Sequence, residues 1–357
     1  MAETETDRAP RRTADLLGHA AAEKRLLDAW RSGRLPHGWL FAGPAGIGKA
    51  TLAYRFARFV LAGGAQSGPG LFGDAAPASL DIPPEHPVFR RVASGGHPDL
   101  ITLERREDPK TGKMKTVVDV DQVRAANDFL HLTPAEGGWR VLIVDTADDM
   151  NANAANALLK TLEEPSDRAL LLLVSHAPGR LPATIRSRCC RLDLRPLPDD
   201  VMNTLIARYM PGMKPDEAKV LSRLADGSIG RAVALDAEGG IGIYSAIVEI
   251  ADQLPNLDLS AVHAFADKVG RSGGERLFGT AFELLQWWLA RVVRAGAGVM
   301  PPDHTAARLL KLASLDRWVE VWEKIGRLAA QTDGVNLDRK QVALNAFYAL
   351  EQAARNR

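Results

Sequence analysis

The chain of 357 residues has almost no cysteine; the two present are adjacent, Cys189 and Cys190. Neighbouring residues seldom reach disulfide geometry, so a reduced, intracellular chain is the simplest expectation. It also lacks an excess of either charge, with 45 Lys and Arg against 44 Asp and Glu and a net charge of +1. A protein that grips nucleic acid alone usually carries a basic surplus, so any such contact here is local or shared with partners. No apolar run approaches the ~18 residues of a membrane span. The N-terminus has no signal-peptide core, and a cytoplasmic chain without membrane contact is expected. Absent too is any internal repeat, or any cluster of carboxylates suited to nucleotidyl transfer; a polymerase site is excluded on the latter ground.

What is present is an ordinary globular composition, 46% hydrophobic and 25% charged, in a chain long enough for two or three domains. The organising stretch runs from Val141 to Arg191. Val141-Leu142-Ile143-Val144 is an apolar run ending on Asp145, the pattern of a buried parallel strand with a polar residue at its carboxyl end. Ala155, Leu158, Leu159 and Leu162 then share one helical face, with Lys160 in reach of Glu163 and Glu164, and Pro165 stops the helix. Ala169 to Val174 reads as the next strand, followed by a turn and Ile185-Arg186-Ser187-Arg188-Cys189. The order is strand, helix, strand, short helix, strand.

Upstream, residues 1–13 are polar and predict a disordered tail. An amphipathic pattern from Ala14 to Ser32 predicts a helix, and Trp39-Leu40-Phe41 a strand. Gly43-Pro44-Ala45-Gly46-Ile47-Gly48-Lys49-Ala50-Thr51 follows directly and opens a helix. This is the strand, glycine loop, helix context of a phosphate-binding loop: glycines let backbone N–H groups turn toward a phosphate, and Lys49 reaches the outer phosphates. A full loop motif has Ser or Thr after the lysine to hold Mg²⁺; here Ala50 stands there, and Thr51, one residue late, points about 100° away on a helix. Gly63 to Gly96 reads as an insertion or long loop, Asp99 to Glu104 as a strand, and Arg105 to Lys115 as a charged hairpin. Asp121 is the expected N-cap of a helix through Val123, Phe129 and Leu130. After the linker Asp193 to Pro198, helical periods cover Val201 to Met210, Pro215 to Ala225 and Gly230 to Leu235. From Ile241 the pattern is helical with breaks at Pro255, Gly270 to Gly274, Gly296 to Pro302 and Gly334. Trp287, Trp288, Trp318 and Trp322 read as core or subunit-contact residues rather than a base-stacking surface.

The run Asn156-Ala157-Leu158-Leu159-Lys160-Thr161-Leu162-Glu163-Glu164-Pro165, followed by Ser187-Arg188-Cys189, resembles the signature of clamp-loader subunits of the AAA+ ATPase family. Together with Val118 to Arg124 it is most similar to the delta-prime group of bacterial DNA polymerase III subunits. The resemblance implies an α/β P-loop AAA+ domain (14–195) built on a parallel five-stranded sheet with flanking helices. A small helical lid (196–240) and an all-α collar domain for oligomerisation (241–357) would follow. It implies a replisome component that works with motor (gamma/tau-like) and delta subunits, the sliding clamp and primed DNA. Delta-prime chains often carry a four-cysteine zinc module in the region of the insertion; with no cysteine there, and only His86 and His97 nearby, no zinc is expected.

For the nucleotide site the resemblance implies roles for Gly43, Gly46, Gly48, Lys49 and Thr51, for Asp145 as the Mg²⁺-organising acid, and for Ser175, His176 and Arg231 as sensor candidates. The glutamate that normally follows the strand-end acid is Thr146, and a threonine hydroxyl is no general base near neutral pH, which leaves only Asp148 or Asp149 to swing in. The expectation is weak binding of ATP or ADP, Mg²⁺ only with it, and no turnover. Arg188 is the implied arginine finger, projecting to a neighbouring subunit's nucleotide, where a planar, permanently charged guanidinium stabilises charge on the γ-phosphate. An arginine at the end of a short helix otherwise simply pairs with a surface carboxylate. Two other functions compete: an ATP-hydrolysing gamma/tau-like motor subunit, against which Ala50 and Thr146 argue, and a free-standing P-loop NTPase acting on a small substrate, which leaves the helical C-terminal third without a purpose.

Overall fold

The computed structural model describes residues 8–64, 77–107, 112, 114–271, 273–335 and 337–355, with backbone only at 333–335. The chain folds as two compact units. One runs to Met213 and takes in Ala225–Arg231; the other comprises Lys214–Leu224 and Ala232–Arg357.

The first unit contains, in order, α1 (Ala20–Arg31), β1 (Gly38–Ala42), α2 (Lys49–Leu61), α3 (Pro87–Ser94), β2 (Leu100–Leu103), α4 (Val120–His131), β3 (Arg140–Asp145), α5 (Ala152–Glu163), β4 (Ala169–Ser175), α6 (Ala183–Arg188), β5 (Cys190–Asp193) and α7 (Asp199–Tyr209). The five strands form one parallel sheet in the order β2-β3-β4-β1-β5. Helices cover both faces, so its central strands are apolar at nearly every position. Alternate residues serve opposite sides. Trp39, Phe41, Ile143 and Leu172 pack with Leu52, Phe56 and Phe59 of α2. Leu40, Leu142, Leu171 and Leu173 pack with Leu130 of α4, Leu158 of α5 and Ile185 of α6. In register, Ala42 stands beside Ser175 and Asp145 beside Val174, so the carboxyl ends of β1, β3 and β4 finish level.

Local differences from the sequence expectations have identifiable causes. The first helix starts at Ala20 rather than Ala14, because Gly18 adopts φ +83° and the preceding residues lie across α2 instead. Arg58, buried in α2, donates to the carbonyls of Arg11 and Thr13, and Arg55 to that of Ala14. The expected tail therefore lies outside the described residues only through residue 7. The cap of α4 is Asp119, not Asp121: its carboxylate accepts from the Gln122 amide at 3.1 Å while the Gln122 side chain accepts from the Asp119 amide at 3.2 Å. That reciprocal box satisfies two end donors, which a cap at Asp121 would leave open. Within the expected loop 63–96, residues 65–76 lie outside the description, but α3 is a helix with Pro87 in its first turn and Gly95 at φ +77° after its end, an arrangement suited to starting and stopping helices. The charged hairpin is marked by antiparallel pairing of Glu107 with Met114; its tip, Asp108 to Thr111, is outside the described residues.

The remaining helices are α8 (Pro215–Ala225), α9 (Ile229–Ala237), α10 (Gly240–Ala251), α11 (Leu259–Val269), α12 (Glu275–Gly296), α13 (His304–Leu312), α14 (Leu315–Val335) and α15 (Arg339–Arg355). The second unit is all helix among the described residues. Trp287, Trp288 and Trp318 are buried, Trp318 donating its indole N–H to the Leu309 carbonyl at 3.2 Å, whereas Trp322 is 39% exposed. Among the described residues no helix is long and apolar enough to cross a membrane.

The Asp119 cap generates a stability prediction. Its carboxyl is held below the usual range by the Lys115 ammonium and the Gln122 amide. Asp119→Ala should cost about 1 kcal/mol at neutral pH. Since a depressed carboxylate stabilises only while ionised, the difference should shrink as pH falls through its folded pKa. Thermal melts of both proteins against pH check this.

Candidate functional site

The level ends of β1, β3 and β4 bring together the glycine loop, Asp145 and Ser175, in the crevice at the carboxyl edge where open α/β sheets bind ligands. The loop leaves β1 at Ala42 and enters α2 through Gly48, at φ +105°, which gives the helix no side-chain cap. An uncapped N-terminus of a 13-residue helix presents its amides to an anion. Thr51 sits half-buried in the first turn.

The loop is braced from two directions. His19 Nε2 bonds to the Ile47 carbonyl at 2.6 Å, and burial keeps that imidazole below its ordinary pKa, favouring the neutral ring as N–H donor. From the other side Ser228 Oγ donates to the Ala45 carbonyl at 2.8 Å and the Gly230 amide to the Gly46 carbonyl at 2.9 Å. Gly46 adopts φ +71°, and a Cβ on it would collide with Ser228 Oγ; a Cβ on Gly230 would lie 2.8 Å from Gly46 Cα. The two glycines allow backbone to meet backbone. Arg231 follows at the edge of this contact, its amide donating to Ser228 Oγ at 3.1 Å.

Lys49 is 2% exposed and donates to the carbonyls of Gly43, at 2.7 Å, and Pro44. Burial lowers its pKa to about 8, against the opposing pull of Asp145 and Asp148. Asp145 moves the other way, to about 6, because it is buried and faces Glu104 and Asp149; Lys49 only partly compensates. Asp148 is bound on both oxygens. Ser175 Oγ donates to Oδ1 at 2.7 Å, and the amides of His176 and Ala177 to Oδ2, the latter at 3.3 Å. Asp149 pairs with Arg105 at 3.2 Å. Ser175 is fully buried, and the His176 side chain is exposed.

These residues fit a phosphate better than a metal. Backbone amides and a lysine can meet an anion, but Ala50 has no side-chain oxygen to offer Mg²⁺. Among the described residues no group of three or more His, Cys, Asp or Glu side chains could hold a metal ion.

Arg188 lies apart from this crevice, at the last position of α6. Its Nη2 is 2.6 Å from Glu163 Oε1 and its Nη1 donates to the Thr184 carbonyl at 3.1 Å; the side chain is 36% exposed. Glu163 thus pairs with Arg188 rather than with Lys160. Cys189 is buried with its thiol pushed up to about 12, and both cysteines are free.

Comparison with known proteins decides the family. A family model described as DNA polymerase III, delta subunit, matches residues 18–198, just over half of the chain. The chain belongs to that family. Relatives named DNA polymerase III subunit delta' include one from Pseudomonas aeruginosa, 36% identical over 63% of this chain and 63% of its own length, and one from Escherichia coli, 34% identical over 59% and 58%. A DNA polymerase III subunit tau from Bacillus subtilis is 26% identical over 69% of this chain and 40% of its own. The chain thus matches 63%, 58% and 40% of these relatives' lengths, in each case less than two thirds. The motif resemblance to the delta-prime group agrees with these matches.

For this delta-prime relative, sequence reasoning missed three contributors: Ser228, which closes the loop; Asp148 as an anchor of the β4 end; and Glu163 as the partner of Arg188. The Ser228 position had a signal in the preceding Asp226-Gly227, both at positive φ (+50° and +75°), which turn the chain sharply onto the loop.

Asp145 supplies the pH prediction. Between about pH 4 and pH 6 the folded chain keeps a proton on Asp145 that the unfolded chain has released, so this group makes stability fall as pH rises through that interval. Asp145→Asn should therefore be more stable than the parent at pH 7, by up to about 3 kcal/mol. The two should converge below pH 4. Melting temperatures across pH 4 to 8 test it; an Asn variant less stable at pH 7 would mean that attraction to Lys49 outweighs burial.

Proposed function

We propose that this chain is a clamp-loader subunit of the DNA polymerase III assembly that does not itself hydrolyse ATP and acts through its neighbours. The observation that carries the reading is the commitment of both acids that could replace the missing catalytic base: Asp148 accepts three hydrogen bonds from the end of β4, and Asp149 is paired with Arg105. Thr146 stands in the base position and Ala50 in place of the metal-holding hydroxyl, so neither position offers the group that would activate water or hold the metal. ATP or ADP binds weakly through the loop amides and Lys49, which must first leave the carbonyls of Gly43 and Pro44.

The contribution to catalysis is Arg188, supplied in trans to the γ-phosphate held by an adjacent gamma/tau-like motor subunit. Its position on the surface at the end of α6 and its partial exposure support this role. Within the assembly the chain works beside motor and delta subunits, at the sliding clamp and primed DNA, in the cytoplasm. Residues 196–240 form the lid and 241–357 the collar through which subunits associate. The relatives named delta' and tau support membership of this assembly.

Arg188→Ala in the reconstituted loader, at matched complex assembly, should lower DNA- and clamp-stimulated ATP hydrolysis by roughly 10³-fold or more if the finger matches those known elsewhere. An unchanged rate would leave the chain as a scaffold.

A further inference from the structure

Glu163 occupies a position that helix chemistry disfavours. It is the last residue of α5, where the helix dipole repels a carboxylate, and Glu164 follows it. Yet its carboxylate is not left to solvent. Oε1 lies 2.6 Å from Arg188 Nη2, while Arg188 Nη1 donates to the Thr184 carbonyl one turn back in α6. An ion-pair contact on one nitrogen and a hydrogen bond on another restrict the swing of the guanidinium more than either would alone. A guanidinium has five N–H groups, so the remaining ones can still meet an external anion.

The frame beneath the pair is rigid. His37 Nε2 bonds to the Leu162 carbonyl at 3.0 Å, holding the end of α5 to the residue before β1. Gly38 lies directly beneath both helix ends: a Cβ there would come within 3.0 Å of Leu162 Cδ2 and 3.3 Å of the Arg188 carbonyl. The two helix ends that carry the partners are therefore both mounted on one strand start.

We infer that Glu163 is a positioning residue for Arg188: its carboxylate and the Thr184 carbonyl together hold the guanidinium in the orientation in which it meets a neighbouring subunit's nucleotide. The inference rests on the reading of Arg188 as a residue acting in trans. Glu163 touches no substrate and acts only through the arginine. Its influence belongs to the transition state, where a preoriented cation avoids reorganisation.

The test uses the reconstituted loader at matched assembly, with DNA- and clamp-stimulated ATP hydrolysis as readout. Glu163→Ala should lower kcat by about 3- to 10-fold with KM for ATP unchanged, as expected when an interaction made only in the transition state is weakened. Glu163→Gln, which keeps an oxygen acceptor at the same reach, should retain most of the rate. In an Arg188→Ala background Glu163→Ala should add no further loss. The melting temperature of Glu163→Ala should be unchanged or slightly raised, since a carboxylate opposing the α5 dipole has been removed. If Arg188→Ala slows the loader but Glu163→Ala leaves kcat untouched, or lowers it equally in both backgrounds, the positioning role is wrong and the finger stands. If Arg188→Ala itself has no effect, the finger reading fails and this inference with it.

Discussion

The register of a parallel sheet buried on both faces is the constraint from which the rest of this molecule follows. A slip of one residue in any central strand would turn its apolar set to the wrong side, exchanging the Phe41 and Ile143 face for the Leu40 and Leu142 face. Because the register is fixed, β1, β3 and β4 end level, and the start of the glycine loop, Asp145 and Ser175 are gathered at one edge. The same sheet seats the ends of α5 and α6 over Gly38, which brings Arg188 and Glu163 within reach of each other. One scaffold thus defines two places: a crevice at the carboxyl edge and a charged pair at the start of β1.

The carboxyl edge gathers the glycine loop, Lys49, Asp145 and Ser175, and these groups are engaged with their protein neighbours. Lys49 satisfies its ammonium on the carbonyls of its own loop, Asp148 closes the end of β4, and Ser228 with Gly230 braces the loop from outside. Asp145 is raised to about 6 by burial and the nearby Glu104 and Asp149. A site that hydrolyses ATP needs these groups turned toward ligand, metal and water. Here Lys49, Asp148, Ser228 and Gly230 bond to neighbouring protein groups, and Ala50 and Thr146 stand where a metal-holding hydroxyl and a base would be.

Most of the fold was legible because strongly apolar runs and helical periods leave little choice: Val141 to Asp145, Ala169 to Val174 and the face through Leu158 and Leu162 all fall in their expected elements. The glycine loop was legible from its spacing. What was not legible depends on contacts distant in sequence or on competition between equivalent local signals. Nothing in Ala14 to Leu17 says that these residues give up helix; the turn at Gly18 and the Arg55 contact to the Ala14 carbonyl, about forty residues on, decide it. Asp119 and Asp121 are both good caps, and only Gln122 at the third position favours the first. Glu163 looked like a helix partner for Lys160, because local spacing cannot show that Arg188 comes nearer in space.

The central claim is that the crevice serves structure and not turnover. Single-turnover ATP hydrolysis by the isolated chain at saturating Mg-ATP, set beside its Lys49→Ala variant, tests it most directly. The account predicts no product above the variant's background. A Lys49-dependent burst of ADP would contradict it and make the chain a motor subunit in its own right.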